Sequence, residues 1–346
     1  MVKVLLIDGN YAVRRSHHAT PDLTSPQGHP MGGLFGFLLQ LGGLVQNESP
    51  EAVFVFWDGG IDPGRRAIFP GYKRRQKPDP RKEAERRLHA EDVERQIKIA
   101  AQEILPPLGI PSVRVMGVEA DDAIHTARGL ISRVAEVAFA IVSGDRDFWQ
   151  LVDTTTVVLD LFRRDDFQTG TRVSLGSFKR VTGLRDPRQF LDLRTMTGDA
   201  SDSIPGVRGI GPVSALKILD QVGSIGQALR HLDEVRALGK RFAGLVSLEG
   251  QERLARNRVL MDLALHSPSS EEIGGVKHAL RGPIQPLDGQ EISRVAISLG
   301  ATQFAANLEN WLGAFEDLFQ RARGLRERLL NAGISRSLAT ARRGVA

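Results

Sequence analysis

Four short apolar runs in this chain each give way to acidic residues, and that arrangement constrains its fold more than any other feature. Val2–Ile7 leads into Asp8-Gly9-Asn10, and Val53–Trp57 leads into Asp58-Gly59-Gly60. Ser112–Met116 is followed by Val118-Glu119-Ala120-Asp121-Asp122, and Val137–Val142 by Ser143-Gly144-Asp145-Arg146-Asp147. A fifth run covers Val157–Leu161. Between the runs lie helical patterns, with Leu34, Phe37, Leu38, Leu41 and Val45 within 32–46 and Val93, Ile97, Ala100, Ala101 and Ile104 before Pro106-Pro107. Strands alternating with helices predict an α/β fold with a mostly parallel sheet and helices on both faces. Ligands of such sheets bind beyond the carboxyl ends of the strands, where these acids fall.

Three carboxylates within 119–122 repel and raise each other's pKa. A hard multivalent cation relieves that repulsion. A helix N-terminus also favours acids, so this segment alone leaves both readings open. The other acidic sites favour the cation. From about residue 186 the pattern turns helical, and Asp199 and Asp202 lie three apart, facing the same way on a helical turn. Pro205 to Ala215 then places Gly209 and Gly211 around Ile210, a tight hairpin whose backbone N–H groups can hold phosphate without reading bases.

The 346 residues leave room for one large domain or two modest ones. No run approaches the ~18 apolar residues of a membrane span. The chain enters a strand-like run at once, with no signal peptide visible. With no cysteine, disulfides, thiolate metal sites and cysteine nucleophiles are excluded, which fits a reducing compartment. The net charge of +5 is unevenly spread. Residues 65–87 hold ten basic residues against Asp79, Glu83 and Glu85, and 321–346 hold seven arginines against Glu327. An acidic body with two basic segments suggests a polyanionic partner gripped beside a cation-binding centre; solvated basic faces are the plainer alternative. His17 and His18 have no spacing to the acids and read as surface or packing residues, and Trp57 and Trp149 as core. Tyr11, close to Asp8, could stack on a terminal base.

These residues, taken together, resemble the 5′-nuclease superfamily: the 5′→3′ exonuclease domain of bacterial DNA polymerase I and the stand-alone flap endonucleases of phages and bacteria. The resemblance runs from Val4 to about Leu232. It is carried by Leu6-Ile7-Asp8-Gly9-Asn10, Gly36-Phe37, Phe56-Trp57-Asp58, Pro70-Gly71-Tyr72-Lys73, Glu119-Ala120-Asp121-Asp122, Ser143-Gly144-Asp145-Arg146-Asp147 and Thr197 to Gly211. It implies a PIN-like nuclease domain over 1–185 with a basic helical arch at about 61–95, a helix-hairpin-helix subdomain over 186–290, and C-terminal helices with an arginine-rich tail over 291–346.

The implied activity is Mg²⁺-dependent cleavage of DNA at a 5′ end or at the junction of a 5′ flap, in replication or repair. By the same resemblance Asp8, Asp58, Glu119, Asp121 and Asp122 hold one metal, and Asp145, Asp147, Asp199 and Asp202 the second, with Mn²⁺ able to replace Mg²⁺. Asp8, Asp58, Asp121 and Asp145 are the catalytic acids of that set, and Lys73 approaches the scissile phosphate. Arg15, Arg65, Arg74, Arg75, Gly209, Gly211 and Ser214 are expected at DNA, with K⁺ held by hairpin carbonyls near Val207 and Ile210. The partner is a 5′-flap, nicked or gapped duplex or an RNA–DNA primer. The protein is expected to be a cytoplasmic, nucleoid-associated monomer with no membrane contact, recruited by a polymerase or clamp.

Three positions depart from the family pattern. Gln76 stands where an arginine is usual, Val213-Ser214 where lysine and threonine are, and Ser203 where asparagine is. The alternatives are a PIN-type ribonuclease, usually shorter and without the Asp199/Asp202 pair, and a non-catalytic DNA-binding scaffold, in which some acids should have been lost.

Overall fold

The computed structural model describes residues 2–20, 23–74, 80–161, 171–237, 239, 242–265 and 269–343, without the side chains of 80–82, 303 and 332–343. The expected DNA contact Arg75 and the departure at Gln76 lie outside the described residues. Strands β1 (Val2–Asp8), β2 (Ala52–Trp57), β3 (Ser112–Arg114), β4 (Val137–Val142), β5 (Thr156–Asp160) and β6 (Thr171–Val173) form one sheet in the order β3-β2-β1-β4-β5-β6. Every pairing is parallel except that of β6 with β5.

The central strands read as continuous apolar runs because both of their faces are covered. Side chains alternate between the faces. Val4 and Leu6 join Phe54, Phe56, Phe139 and Ile141 in one core. Leu5 and Ile7 join Val53, Val55, Trp57 and Val142 in the other. Asp8 pairs with Phe56, and Ile7 with Val142. The chain leaves β1 toward β2 and β3, and leaves β4 toward β5, so the crevice opens between the carboxyl ends of β1 and β4.

The helices are α1 (Gly9–Ala19), α2 (Gly32–Glu48), α3 (Pro63–Ile68), α4 (Pro80–Ile99), α5 (Ala120–Ser132), α6 (Leu175–Thr182) and α7 (Pro187–Thr197). A two-stranded hairpin, β7 (Gly198–Asp199) with β8 (Ile204–Pro205), separates α7 from α8 (Pro212–Val222). Then come α9 (Ile225–Arg230), α10 (Leu232–Ala237), α11 (Ala243–Val246), α12 (Leu248–Met261), α13 (Ser270–Arg281), α14 (Gly289–Ser298), α15 (Thr302–Ala306) and α16 (Leu308–Arg343). A π-helical turn over Ala100–Ile104 continues α4. No helix among the described residues is long and apolar enough to cross a membrane.

Asn257 of α12 donates to the carbonyls of Thr195 at 3.1 Å and Pro205 at 2.9 Å, tying α12 to the end of α7 and to β8. Val276 and Leu280 of α13 belong to the core that α5 covers. The basic 321–346 segment departs from a free arm. Helix α16 sends Phe315 and Leu318 into one sheet core and Leu325 and Leu329 into the other. Its apolar stripe at helical spacing packs on the sheet, and Arg326 beside it donates to the Gly282 carbonyl at 2.9 Å.

Candidate metal centre

Each acid reaches the crevice from a different chain segment. Asp8 ends β1 and caps α1, its Oδ1 accepting the Tyr11 N–H at 2.9 Å and its Oδ2 the Ser143 hydroxyl at 2.9 Å. Asp58 follows β2; Asn10 Oδ1 accepts its N–H at 2.9 Å, and its Oδ1 accepts the Ala120 N–H at 3.1 Å. Glu119 is the N-cap residue of α5, with Asp121 and Asp122 in its first turn. Asp145 follows β4 and caps a 3₁₀ turn over Arg146–Leu151, accepting the Asp147 N–H at 2.9 Å. Asp199 and Asp202 come from the β7–β8 hairpin, with Asp199 accepting the Ser201 N–H at 2.8 Å.

Two triads are tight enough to share an ion. Ligand oxygens of Glu119, Asp121 and Asp122 lie within 4.8 Å of one another, as do those of Asp147, Asp199 and Asp202. The rest are joined electrostatically. Burial, then the charges of Asp58 and Asp145, push Asp8 up to about 7, against the Tyr11 and Ser143 hydrogen bonds that lower it. Burial, then Asp145, push Asp147 up to about 8, although Arg194 opposes. Asp145 reaches solvent at the rim, yet burial of its carboxyl with Asp121 and Asp199 nearby raises it. Burial raises Asp202 to about 6, with Lys73 opposing and Asp199 and Glu119 adding. Asp199 alone is lowered: burial raises it, but the Ser201 hydrogen bonds and Arg194 outweigh burial. Carboxylates from five segments thus act on each other in one pocket.

Three cations answer part of this charge. Arg65 does not face DNA, contrary to expectation: it is 2% exposed. Its guanidinium donates to both oxygens of Asp122 at 2.6 and 2.8 Å, to Glu119 at 2.7 Å and to the Leu260 carbonyl at 3.0 Å. With both oxygens so engaged, Asp122 is oriented toward Arg65. Burial and Asp121 raise Asp122, while Arg65 opposes. Lys73 bridges the two acidic halves, its Nζ 2.9 Å from Glu119 and 4.0 Å from Asp202. Burial alone would lower its ammonium, but Glu119 and Asp202 hold it above the ordinary lysine range. Arg194 of α7 donates to Asp147 at 3.0 Å and also to Asp199.

Lys73 is clamped as well as charged. Its backbone sits at φ 50°, in the left-handed region, and its N–H donates to the Asp202 carbonyl at 2.9 Å. Across that bond Ser203, at φ 60°, donates its hydroxyl to the Arg74 carbonyl at 3.1 Å. Asparagine takes this conformation more readily than serine, which gives the Ser203 departure a physical meaning. The Glu119 carboxylate also accepts the Tyr72 hydroxyl at 2.7 Å.

The remaining candidates stand outside this pocket. Exposed Arg15 shares a hydrogen bond with Tyr11, whose hydroxyl donates to Asp160 at 2.9 Å. That bond turns Tyr11 into a strut between α1 and β5 rather than a stacking surface. A Cβ at Gly144 would stand 1.9 Å from the Tyr11 hydroxyl oxygen, so only glycine lets the strut pass. Gly209 (φ +81°) and Gly211 lie on the hairpin between β8 and α8, half-buried Ser214 is in the first turn of α8, and Arg74 is exposed beside Lys73. Sequence reasoning missed Arg194, Tyr72 as a ligand of Glu119, Ser143 and Ser201. Tyr72 lay inside a recognised block, but no local pattern marks Arg194.

The donor set fits a hard divalent ion: all of it is carboxylate oxygen, and two triads hold their oxygens within 4.8 Å of one another.

Residues 3–175 match the N-terminal resolvase-like domain of the 5′-3′ exonuclease family, and residues 185–278 its C-terminal SAM fold. A 5′-3′ exonuclease of Aquifex aeolicus is 31% identical over 68% of this chain and 74% of its own length. The thermostable DNA polymerase I of Thermus thermophilus is 31% identical over 83% of this chain, but the match spans only 32% of that polymerase. The T5 D15 protein co-crystallised with metal ions shares the fold, with a TM-score of 0.62 at 21% identity over 90% of this chain and 99% of that one. A T5 D15 flap endonuclease described as a pseudo-enzyme-product complex with DNA and metal ions gives 0.60 at 19%, over 90% and 99%.

Proposed function

Since this chain belongs to the 5′-3′ exonuclease family, we propose that it hydrolyses DNA phosphodiesters at or near a 5′ end, or at the base of a 5′ flap, using two divalent ions. The observation that carries this reading is the acidic pocket, where two carboxylate triads from both matched regions stand beside a clamped lysine, with Asp8, Asp58 and Asp145 within electrostatic reach. Asp8, Asp58 and the Glu119–Asp122 group would hold one ion, and Asp145, Asp147, Asp199 and Asp202 the other, with Mg²⁺ the metal and Mn²⁺ a substitute. Bound there, such ions supply an activated water and charge stabilisation for the leaving oxygen.

The chain's own residues do the positioning. Ser143 and the Tyr11 N–H hold Asp8 at one angle, and Asn10 holds the segment carrying Asp58. Lys73 presents a permanently charged ammonium between the two acidic halves, where it can neutralise charge growing on the scissile phosphate. The hairpin amides around Gly209 and Gly211 would grip duplex phosphate, with a K⁺ held by neighbouring carbonyls. The T5 flap endonuclease that shares this fold was crystallised with DNA and metal ions, which supports DNA as substrate.

Product analysis tests the reading. The protein is incubated with a 5′-flap, a nicked duplex and an RNA–DNA hybrid, each with Mg²⁺ and with chelator. Cleavage at the flap base or from the 5′ end, lost with chelator, is expected. Cutting confined to RNA, or cutting that survives chelation, would overturn it.

A further inference from the structure

Arg256 of α12 is a cation that the fold holds in place but does not neutralise. Its guanidinium lies 4.5 Å over the Phe69 ring, and its Nε and Nη2 donate to Asn257 Oδ1 at 3.3 and 2.9 Å. Asn257 is itself fully buried and fixed by the Thr195 and Pro205 carbonyls. Ring and amide thus hold the guanidinium from its face and from one edge. The other edge, with Nη1, has no partner among the described residues, and none of their carboxylates pairs with Arg256. One turn back, Arg253 is matched by Glu249 at 2.8 Å and also donates to the Gly206 carbonyl at 3.0 Å. Burial, then the charge of Arg253, disfavours the charged form of Arg256, and no acid offsets them.

Its neighbours point to the ligand. Phe69 opens the turn that presents Lys73: its carbonyl accepts the Tyr72 N–H at 2.8 Å, and a Cβ at Gly71 would stand 2.6 Å from its ring. On the other side, Asn257 is tied to Pro205 and Arg253 to Gly206, the residues that lead into the hairpin at Gly209 and Gly211. Arg256 therefore stands between the lysine assigned to the scissile phosphate and the amides assigned to duplex phosphate. An arginine stacked on a ring keeps a planar N–H edge free, a form suited to two phosphate oxygens. We propose that Arg256 is a phosphate anchor for the DNA strand that runs between the metal centre and the hairpin. This rests on the reading that the pocket cuts DNA, and adds a fixed contact that sets where the strand lies relative to Lys73. Because ring and amide hold the guanidinium before DNA arrives, it loses little freedom on binding.

The test maps the contact phosphate by phosphate. Each phosphate of a 5′-flap substrate is replaced singly by an uncharged methylphosphonate, and affinity is measured in an Asp145→Asn background, which should bind without cutting. With Arg256 present, one phosphate on the hairpin side of the scissile position should cost about tenfold when neutralised, the scale of one charge-assisted contact. In Arg256→Met that position should fall silent while the other sensitive positions keep their effect. The slope of log affinity against log salt should become shallower by about one. Arg256→Lys, which keeps the charge but not the stacked fork, should fall between. In the active protein, Arg256→Met should raise KM about tenfold and keep kcat within about threefold, since an anchor serves ground state and transition state alike. Should Arg256→Met fail to fold, Arg256→Gln carries the same expectations.

A methylphosphonate profile and salt slope unchanged in Arg256→Met overturn the proposal. A fall in kcat with KM unchanged does so too, since it would make Arg256 a support for the Lys73 turn rather than a phosphate contact. Cleavage of the unmodified flap by the wild type is assayed alongside. Cleavage without the Arg256 effect defeats only the anchor; the Arg256 effect without cleavage defeats only the nuclease reading.

Discussion

Asp145 is the residue where the pocket's chemistry can be separated from its architecture. It reaches solvent, and its structural duty is one cap, the acceptance of the Asp147 N–H at 2.9 Å. Asparagine can keep that cap while losing the charge. Asp145→Asn should therefore lower Mg²⁺-dependent cleavage by several orders of magnitude with little change in melting temperature or DNA affinity. Turnover within tenfold of wild type would remove Asp145 from the metal set. Legibility also differed residue by residue. The acids could be read because they punctuate apolar runs at strand ends. The roles of Arg65 and Arg194 could not, because a pairing across 54 or 47 residues leaves no local pattern. Arg65 in particular sits in a basic stretch, where an outward-facing phosphate contact is the natural reading, and only burial reveals the opposite.

Among the elements, short α3 shows what such pairing does. Its six residues could not hold a helix alone. Pro63 at the start, the Asp62 cap and above all Arg65 fasten it to α5 and α12. Breaking a buried pair leaves uncompensated charge and costs about 3–5 kcal/mol. Arg65→Met should lower stability by that order in denaturant unfolding; a loss under about 1 kcal/mol, the scale of an exposed pair, would mean the network is not closed in solution.

Helices α1 and α4 meet through a different device. His17 of α1 and His89 of α4 stack edge to face at 4.7 Å, with His18 over His89 at 4.9 Å. Burial first, then their neighbours, lower both His17 and His89, with Asp92 opposing and Arg14 and Arg95 adding. A histidine lowered in the fold binds protons better when unfolded, so this contact is at full strength above the usual value of ~6.5. It weakens as pH falls through that value toward the lowered one. Melting temperature should drop between about pH 7 and pH 5, and His17→Gln with His89→Gln should flatten the drop. The sequence showed these histidines adjacent to nothing, since His89 is supplied by a helix whose start lies in the basic, aperiodic stretch.

For the molecule as a whole, the mostly parallel sheet with helices on both faces was legible in the alternation of strand-like runs with helical patterns, whereas the strand order was not. The packing of the C-terminal third was not legible, because α16 divides its apolar residues between two cores. Burial of Leu325 and Leu329 also limits how the basic end can be tested. Removing 332–346, which hold Arg336, Arg342 and Arg343, should leave the fold intact. It should make the slope of log DNA affinity against log salt shallower by roughly one for each DNA phosphate that those arginines neutralise. An unchanged slope would mean that this end does not touch DNA.

Stability itself should report the ions. Carboxylates raised to about 7 and about 8 are groups that the fold holds at a cost, even with Arg65, Lys73 and Arg194 beside them. A divalent ion that binds the folded pocket and not the unfolded chain stabilises it by about 2.7 kcal/mol per site at a hundredfold excess over its dissociation constant. Adding millimolar Mg²⁺ to chelator-treated protein should raise the melting temperature by several degrees at constant ionic strength. Asp145→Asn should remove part of that gain and Asp145→Asn with Asp8→Asn nearly all of it, because the two acids lie at adjoining strand ends. The same charge balance also predicts the sign of the mutants without ion: each loses a repelling carboxylate, so each should melt no lower than wild type in chelator. A melting temperature indifferent to Mg²⁺, or mutants that gain as much as wild type, would mean that the fold bears the clustered charge without a divalent ion.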